Sequence, residues 1–261
     1  MSAPEAPPRG ARALQRRYTV ADVEVLTEDE ERRFVGRVRD PQADLSLAWE
    51  LLYRLEPELY DRLARAERIH PAVLDWLPSG LDRIVEVGAG TGRLTLELVG
   101  RADEVVAIEP AAPLRDLLRR RLARVEHAHR ARVVDGFFDD LPLPDDWADL
   151  VVACSAWTAE EGHGGGGGLA EMERACRPGG LVAIVWPNNL GRLAARGYRY
   201  LSFGEDEMFV EFASLDDALE LTEVFYPAAT AEVRRRGQRR VPFATFGVNP
   251  PRDVAFKVMA G

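Results

Sequence analysis

The stretch Ile84-Val85-Glu86-Val87-Gly88-Ala89-Gly90-Thr91-Gly92-Arg93-Leu94 runs from an apolar strand pattern through a glycine turn into a helical pattern. Glycines at such a turn permit left-handed backbone and let a ligand approach the main chain at the start of a helix. The spacing argues against two common ligands. A nicotinamide fingerprint needs glycine at position 93, where Arg93 stands, and a phosphate-cradling loop needs a following Gly-Lys-Ser/Thr. Glu86, just before the turn, suits a ligand with a positive ammonium better than a pyrophosphate. Glu109 closes the next apolar run, 21 positions beyond Gly88, where doubly wound folds carry the acid that accepts from ribose hydroxyls. Asp135 closes the third run; a carboxylate there can accept from an exocyclic amine, and Phe137 can cover a purine face. Taken singly, each acid reads as a helix cap or turn residue. Their recurrence in order at successive strand ends points to a nucleoside-bearing ligand, because that edge is where open α/β sheets bind.

Positioning these residues requires a parallel sheet. RIVEVGAG, EVVAIEP, ARVVDG, ADLVVACS and GLVAIVW are short runs rich in Val and Ile, separated by segments with helical spacing. Such runs are strands buried on both faces, alternating with helices in βαβ units. Between the second and third, Leu114, Leu117, Leu118, Leu122 and Val125 share one side of a helix with arginines opposite, a solvated face rather than a nucleic-acid patch. Residues 1–17 lack periodicity and are expected to be a disordered arm. YTVADVEVL and RRFVGRVRD flank the acidic Thr27–Glu31 and predict a strand pair. From Leu45 to Leu77 apolar residues recur at helical steps, broken at Pro57 and Pro71, which predicts two or three helices. The expected domains are therefore the arm, an N-terminal strand pair and helical cap over 18–79, and the ligand-binding domain over 80–261, with its motif core at 80–190 and a C-terminal extension at 191–261. In that extension the pattern predicts helices near 190–196 and 214–225. It leaves open whether the last sheet strands lie near 198–212 or in a terminal hairpin around Asn249-Pro250-Pro251.

Composition bounds the function. Of 261 residues, 46% are hydrophobic and 30% charged, and no apolar run approaches the length of a membrane span. The formal net charge of −9 disfavours a dedicated nucleic-acid binder. The opening residues carry arginines without an apolar run after them, so a cytoplasmic location is expected. Cys154 and Cys176 have no metal-ligand spacing and are expected to be reduced thiols. No metal is predicted.

With these motifs in order, the sequence resembles the class I S-adenosylmethionine-dependent methyltransferases, and within them the small-molecule branch that includes the ubiquinone and menaquinone biosynthesis enzymes. VEVGAGTGRLT resembles their first motif, IEP the second, VDGFFDDLPL the third-strand motif, DWADLVVACSAW the fourth strand, and ERACRPGGLVAIVW the helix, turn and fifth strand. The resemblance implies a Rossmann-like, seven-stranded, mostly parallel sheet with helices on both faces and a helical N-terminal cap. It implies that Glu86 with Gly88, Ala89, Gly90 and Gly92 holds the methionine portion of S-adenosylmethionine. Glu109 would take the ribose hydroxyls, and Pro110 would pack on adenine. Asp135, Gly136 and Phe137 would read the adenine edge, while Cys154 and Ser155 would lie at the methionine ammonium. The spacing from Asp135 to Leu141-Pro142 is about two residues longer than in that branch, so Asp139 is the alternative adenine reader; Asp135 is favoured because it directly ends the strand. Tyr60, in Glu58-Leu59-Tyr60-Asp61-Arg62, resembles a segment that covers the cofactor's methionine end; the alternative is a core aromatic.

A methyl on a sulfonium is already activated, so in-line transfer needs an aligned acceptor and excluded water more than a base. His163 is the candidate base, on the loop that runs from Glu160 into Gly164–Gly168. That glycine run reads either as an active-site loop or as a surface connection carrying His163 as a solvated passenger. The expected activity is methyl transfer to the O, N or C atom of a small organic acceptor, leaving S-adenosylhomocysteine. The competing reading is a non-catalytic S-adenosylmethionine sensor or scaffold. The expected partners are the small-molecule acceptor and, at most, a second copy of the chain.

Overall fold

The Val- and Ile-rich runs form β1 (Leu81–Val87), β2 (Ala102–Ile108), β3 (Ala131–Val134), β4 (Ala148–Cys154) and β5 (Cys176–Val185) of a computed structural model that describes residues 11–261. With β6 (Arg199–Ser202) and β9 (Asp253–Val258) they make a seven-stranded sheet in the order β3-β2-β1-β4-β5-β9-β6. β9 runs antiparallel to both neighbours; the pairs among β1–β5 are parallel. The order turns back between β1 and β4, which opens a crevice at the carboxyl ends of those strands.

Strand alternation explains why the sheet is apolar on both faces. Val85, Val106, Val151 and Val182 face one side, with Leu169 and Met172 of the helix Gly165–Ala175 and Leu193 of the helix Leu190–Ala195. Ile84, Val105, Leu150 and Ala183 face the other, with Val73 of the helix Pro71–Trp76 and Leu98 of the helix Thr95–Leu98. Leu118 and Leu122 of the helix Ala112–Leu122 pack there against Ala107. The fold is thus the expected Rossmann-like sheet with helices on both faces.

The described residues divide into two compact units. One comprises Arg68–Asp206 with Pro250–Gly261 and holds the sheet; the other comprises the chain up to Glu67 with Glu207–Asn249. This differs from the expected boundary at 79/80. The helix Pro71–Trp76 covers the sheet core, so it belongs with the sheet. Within the extension, Arg199–Ser202 and Asp253–Val258 each supply one sheet strand. β7 (Phe209–Glu211) pairs instead with β8 (Arg240–Pro242) in the other unit, so no terminal hairpin forms.

The helices Leu45–Leu55 and Pro57–Ala66 are as predicted, and both Pro57 and Pro71 occupy the first helical turn, where a missing N–H costs nothing. The predicted strand pair at 18–38 is not formed. Val20–Val25 is a 3-10 helix and Glu28–Phe34 an α-helix. The acidic stretch read as a turn is a helix start: Thr27 and Glu30 form a reciprocal capping box, and the acids following Thr27 lie where the helix dipole favours negative charge. Part of the expected arm is ordered: Ala11–Gln15 is helical, Leu14 is buried where this helix meets Leu45–Leu55, and Arg17 donates to Glu56; residues 1–10 of the expected arm lie outside the described residues. Among the described residues no helix is long and apolar enough to cross a membrane.

Candidate cofactor site

The glycine turn is fixed by the end of the neighbouring strand. The N–H groups of Gly88 and Ala89 both donate to Ile108 O at 2.9 Å, and Gly92 N donates to Ala89 O. Gly88 has φ +71°, and a Cβ there would overlap Ala156, so the turn admits no side chain at that position.

Two buried acids flank this turn. Glu109, at the end of β2, accepts from Gly90 N and Ala111 N at 2.9 Å each. Glu86, 1% exposed, accepts from the hydroxyl of Thr95, the first residue of the helix Thr95–Leu98, at 2.5 Å. Burial pushes the Glu86 carboxyl up to about 8, with nearby Glu109 adding to the rise, while Thr95 and the charge of Arg93 pull against it. The guanidinium of Arg93 lies 5.2 Å from the ring centre of Trp186, which follows β5.

Asp135 is exposed and pairs with Arg115 at 2.9 Å. The same guanidinium donates to Glu109 O and Pro110 O at 2.7 Å, so one arginine ties the ends of β2 and β3 together. Gly136 packs against Ile108 and Pro142, and Phe137 is half-buried. Asp139 is exposed. At the end of β4, Cys154 is buried, while Ser155 is exposed with φ +55°, and its N–H donates to Val185 O. Trp186 shares this left-handed conformation. Such backbone in residues other than glycine costs energy and gathers at functional edges.

His163 lies on a short 3-10 turn, its Nδ1 3.7 Å from the Glu160 carboxylate, its backbone O accepting from Thr158 N. The glycine run after it is not a loop. Gly165–Gly168 is the first turn of the helix Gly165–Ala175, and Trp157 anchors it by donating to Gly165 O at 3.0 Å. Tyr60 belongs to the other unit, edge-on to Tyr53 with ring centres 4.8 Å apart and beside Trp49.

The structure therefore brings Glu86, Gly88–Gly92, Glu109 and, through Arg115, Pro110 and Asp135 to one edge of the sheet. Sequence reasoning missed Thr95 and Arg115. An arginine six positions after the second-strand acid was a usable signal for Arg115; it had been absorbed into the solvated helix face. Among the described residues, no group of three or more His, Cys, Asp or Glu is arranged to hold a metal ion.

Residues 84–180 match the family described as the methyltransferase domain. An uncharacterized methyltransferase of Mycobacterium tuberculosis is 34% identical over 124 residues, 47% of this chain and 47% of that protein. One of Geobacillus kaustophilus is 30% identical over 151 residues, 54% of this chain and 65% of that protein. A SAM dependent methyltransferase from Aquifex aeolicus superimposes with TM-score 0.47 at 19% identity, covering 61% of this chain and 94% of that one. The chain spans about half the length of the mycobacterial relative it matches. The family match over residues 84–180 and the curated relatives make this stretch similar to the class I methyltransferases, the class that uses S-adenosylmethionine as cofactor. The match reaches the class and does not single out the quinone-biosynthesis branch.

The residues present fit that cofactor. Glu109 is a buried carboxylate at the end of β2 that accepts from the backbone of the glycine turn, the acceptor chemistry that ribose hydroxyls take. Glu86 is a buried acid whose direct hydrogen-bond donor is a neutral hydroxyl, an environment that a cationic ligand would stabilise.

Proposed function

We propose that this protein transfers the methyl group of S-adenosylmethionine to an O, N or C atom of a small organic acceptor. The observation that carries the reading is the pair of buried acids on either side of a glycine turn that admits no side chain at position 88, at the point where the strand order reverses. When bound, the cofactor supplies a methyl on a positively charged sulfur, already activated for in-line displacement.

The chain's own residues bind and orient. Glu109 accepts from the ribose hydroxyls while its other hydrogen bonds hold Gly90 and Ala111 in place. Gly88, Ala89, Gly90 and Gly92 give the methionine portion access to backbone, and Glu86 meets its ammonium from below the turn. Pro110, Asp135, Gly136 and Phe137 form the adenine side, with Arg115 holding Asp135 to the β2 end. Cys154 and Ser155 line the methionine side. His163 takes a proton from acceptors that carry one.

The test is calorimetric titration of cofactor-stripped protein with S-adenosylmethionine and S-adenosylhomocysteine, with NAD(H) as control. Micromolar binding is expected for the first two. Glu109→Ala should weaken it about a hundredfold, the scale of losing two hydrogen bonds to a charged acceptor. A folded protein that binds neither compound would overturn the reading. Binding without methyl transfer to any member of a broad acceptor panel would leave a cofactor sensor in place of an enzyme.

A further inference from the structure

Phe138 follows the residue expected to face adenine and was given no role in the sequence reading. It is half-buried and packs against the cluster that includes Val87, Ile108, Trp157 and Leu169. Two glycines distant in sequence, one before it and one after it, approach its side chain. A Cβ built on Gly88, in the first-motif turn, would lie 3.3 Å from Phe138 Cε2. A Cβ built on Gly168, in the first turn of the helix Gly165–Ala175, would lie 3.0 Å from Phe138 Cβ and 3.3 Å from Cδ1. The side chain therefore spans from the start of that helix to the backbone of the turn. The two glycines just before it differ: at Gly166 and Gly167 an added Cβ would meet nothing nearer than 3.8 Å, whereas Gly164 and Gly165 are crowded by Trp157 and Glu161.

The turn needs such support. Gly88, Gly90 and Gly92 all have positive φ, and glycine backbone loses the most conformational freedom when it is ordered. The Ile108 carbonyl holds one side of the turn through two hydrogen bonds. Ala156 and the Phe138 ring press on Gly88 elsewhere.

We propose that Phe138 is a positioning residue, a wedge seated on Gly168 that holds the Gly88–Gly92 turn in its cofactor-binding shape. Gly168 is then required for reach, whereas Gly166 is replaceable. The inference rests on the reading that this turn holds S-adenosylmethionine, and the test separates the two.

S-adenosylhomocysteine affinity is measured by calorimetry for the wild type and for Gly168→Ala, Gly166→Ala, Phe138→Ala, Phe138→Leu and the double variant Gly168→Ala/Phe138→Ala. Amide exchange of Gly88–Gly92 is followed in the same proteins without ligand. Gly168→Ala and Phe138→Ala should each weaken binding about tenfold and speed exchange at the turn. Gly166→Ala should bind within about twofold of wild type, and Phe138→Leu should recover most of the loss. The double variant should bind no worse than Phe138→Ala alone, because removing the ring makes room for the new methyl; such non-additivity marks contact. Alanine favours a helix over glycine, so Gly168→Ala can gain thermal stability while losing affinity, an opposition that a general folding defect would not produce. Wild-type affinity and exchange in Gly168→Ala and Phe138→Ala, or losses that simply add, would overturn the wedge. Failure of the wild type to bind would remove the cofactor reading, and the exchange arm would still decide whether the wedge holds the turn.

Discussion

Both units bury acids, but they satisfy them differently. In the helical unit, Glu30 and Glu50 flank the buried Arg54, whose guanidinium donates to Glu30 Oε1 at 2.7 Å and to Glu50 Oε2 at 2.6 Å. Burial alone would raise the Glu30 carboxyl, yet Arg54 and the Thr27 cap hold it below its ordinary value. In the sheet unit, the direct donor to Glu86 is the Thr95 hydroxyl, and burial wins, lifting the carboxyl to about 8. Two buried acids, Glu30 and Glu86, are therefore shifted in opposite directions. An acid closed by a guanidinium is finished structure, whereas an acid closed by a hydroxyl keeps a place for a cation that arrives later.

The largest expected effect tests the finished side. Arg54→Met leaves two carboxylates in an apolar environment without their counter-charge. Breaking a buried pair from one side costs about 3–5 kcal/mol, far more than an exposed pair such as Arg32–Asp29 contributes. Urea denaturation should register that loss, and a drop below about 1 kcal/mol would mean that water reaches the triad.

The next effect tests the open side, through pH. Below its ordinary 4.5 Glu86 is protonated in both native and unfolded chains; between 4.5 and about 8 only the native chain keeps the proton. The native state then binds more protons than the unfolded one, so the Glu86 contribution to stability falls as pH rises through this window. Its slope is at most about 1.4 kcal/mol per pH unit. Glu86→Gln, which retains an acceptor for Thr95, should remove that slope. Ligand binding reports the same group with opposite sign: a cationic amino group ionises Glu86, so titration near pH 7 should release up to one proton and affinity should rise toward pH 8. Proton release that Glu86→Gln leaves intact would assign it to another group.

The open side was also the more legible one. β1, β2, β4 and β5 contain doubly buried apolar runs and the edge strand β3 continues the Val pattern, while the acids and glycines that end β1 to β3 sit where backbone geometry constrains residue type, so a local pattern carried them. The same is true of the helices started by Pro57 and Pro71. What local pattern could not carry depends on partners distant in the chain. The short strand Arg199–Ser202 is largely exposed, so no apolar run distinguishes it from β7. The seat of Phe138 is made by Gly88 and Gly168, each tens of residues away, and the glycine run looked like a loop because its Trp157 and Phe138 neighbours are invisible in sequence.

The smallest effect concerns the segment that was misread. Val20, Val23 and Val25 have a β-like composition, and the acids after Thr27 resemble a polar turn, but the capping box decides otherwise: Glu30 N donates to Thr27 Oγ1, and Thr27 N donates to Glu30 Oε2. Thr27→Ala removes the first of these and exposes an unsatisfied N–H at a helix start, a loss of about 1 kcal/mol. The effect reaches further than a solvated cap would, because Glu30 is also the partner of Arg54, so the cap helps to aim one arm of the buried triad. In a double-mutant cycle, Thr27→Ala and Arg54→Met should therefore fall short of additivity by more than about 0.5 kcal/mol. Strict additivity would make the cap a local device and confine the triad to Arg54 and its two acids.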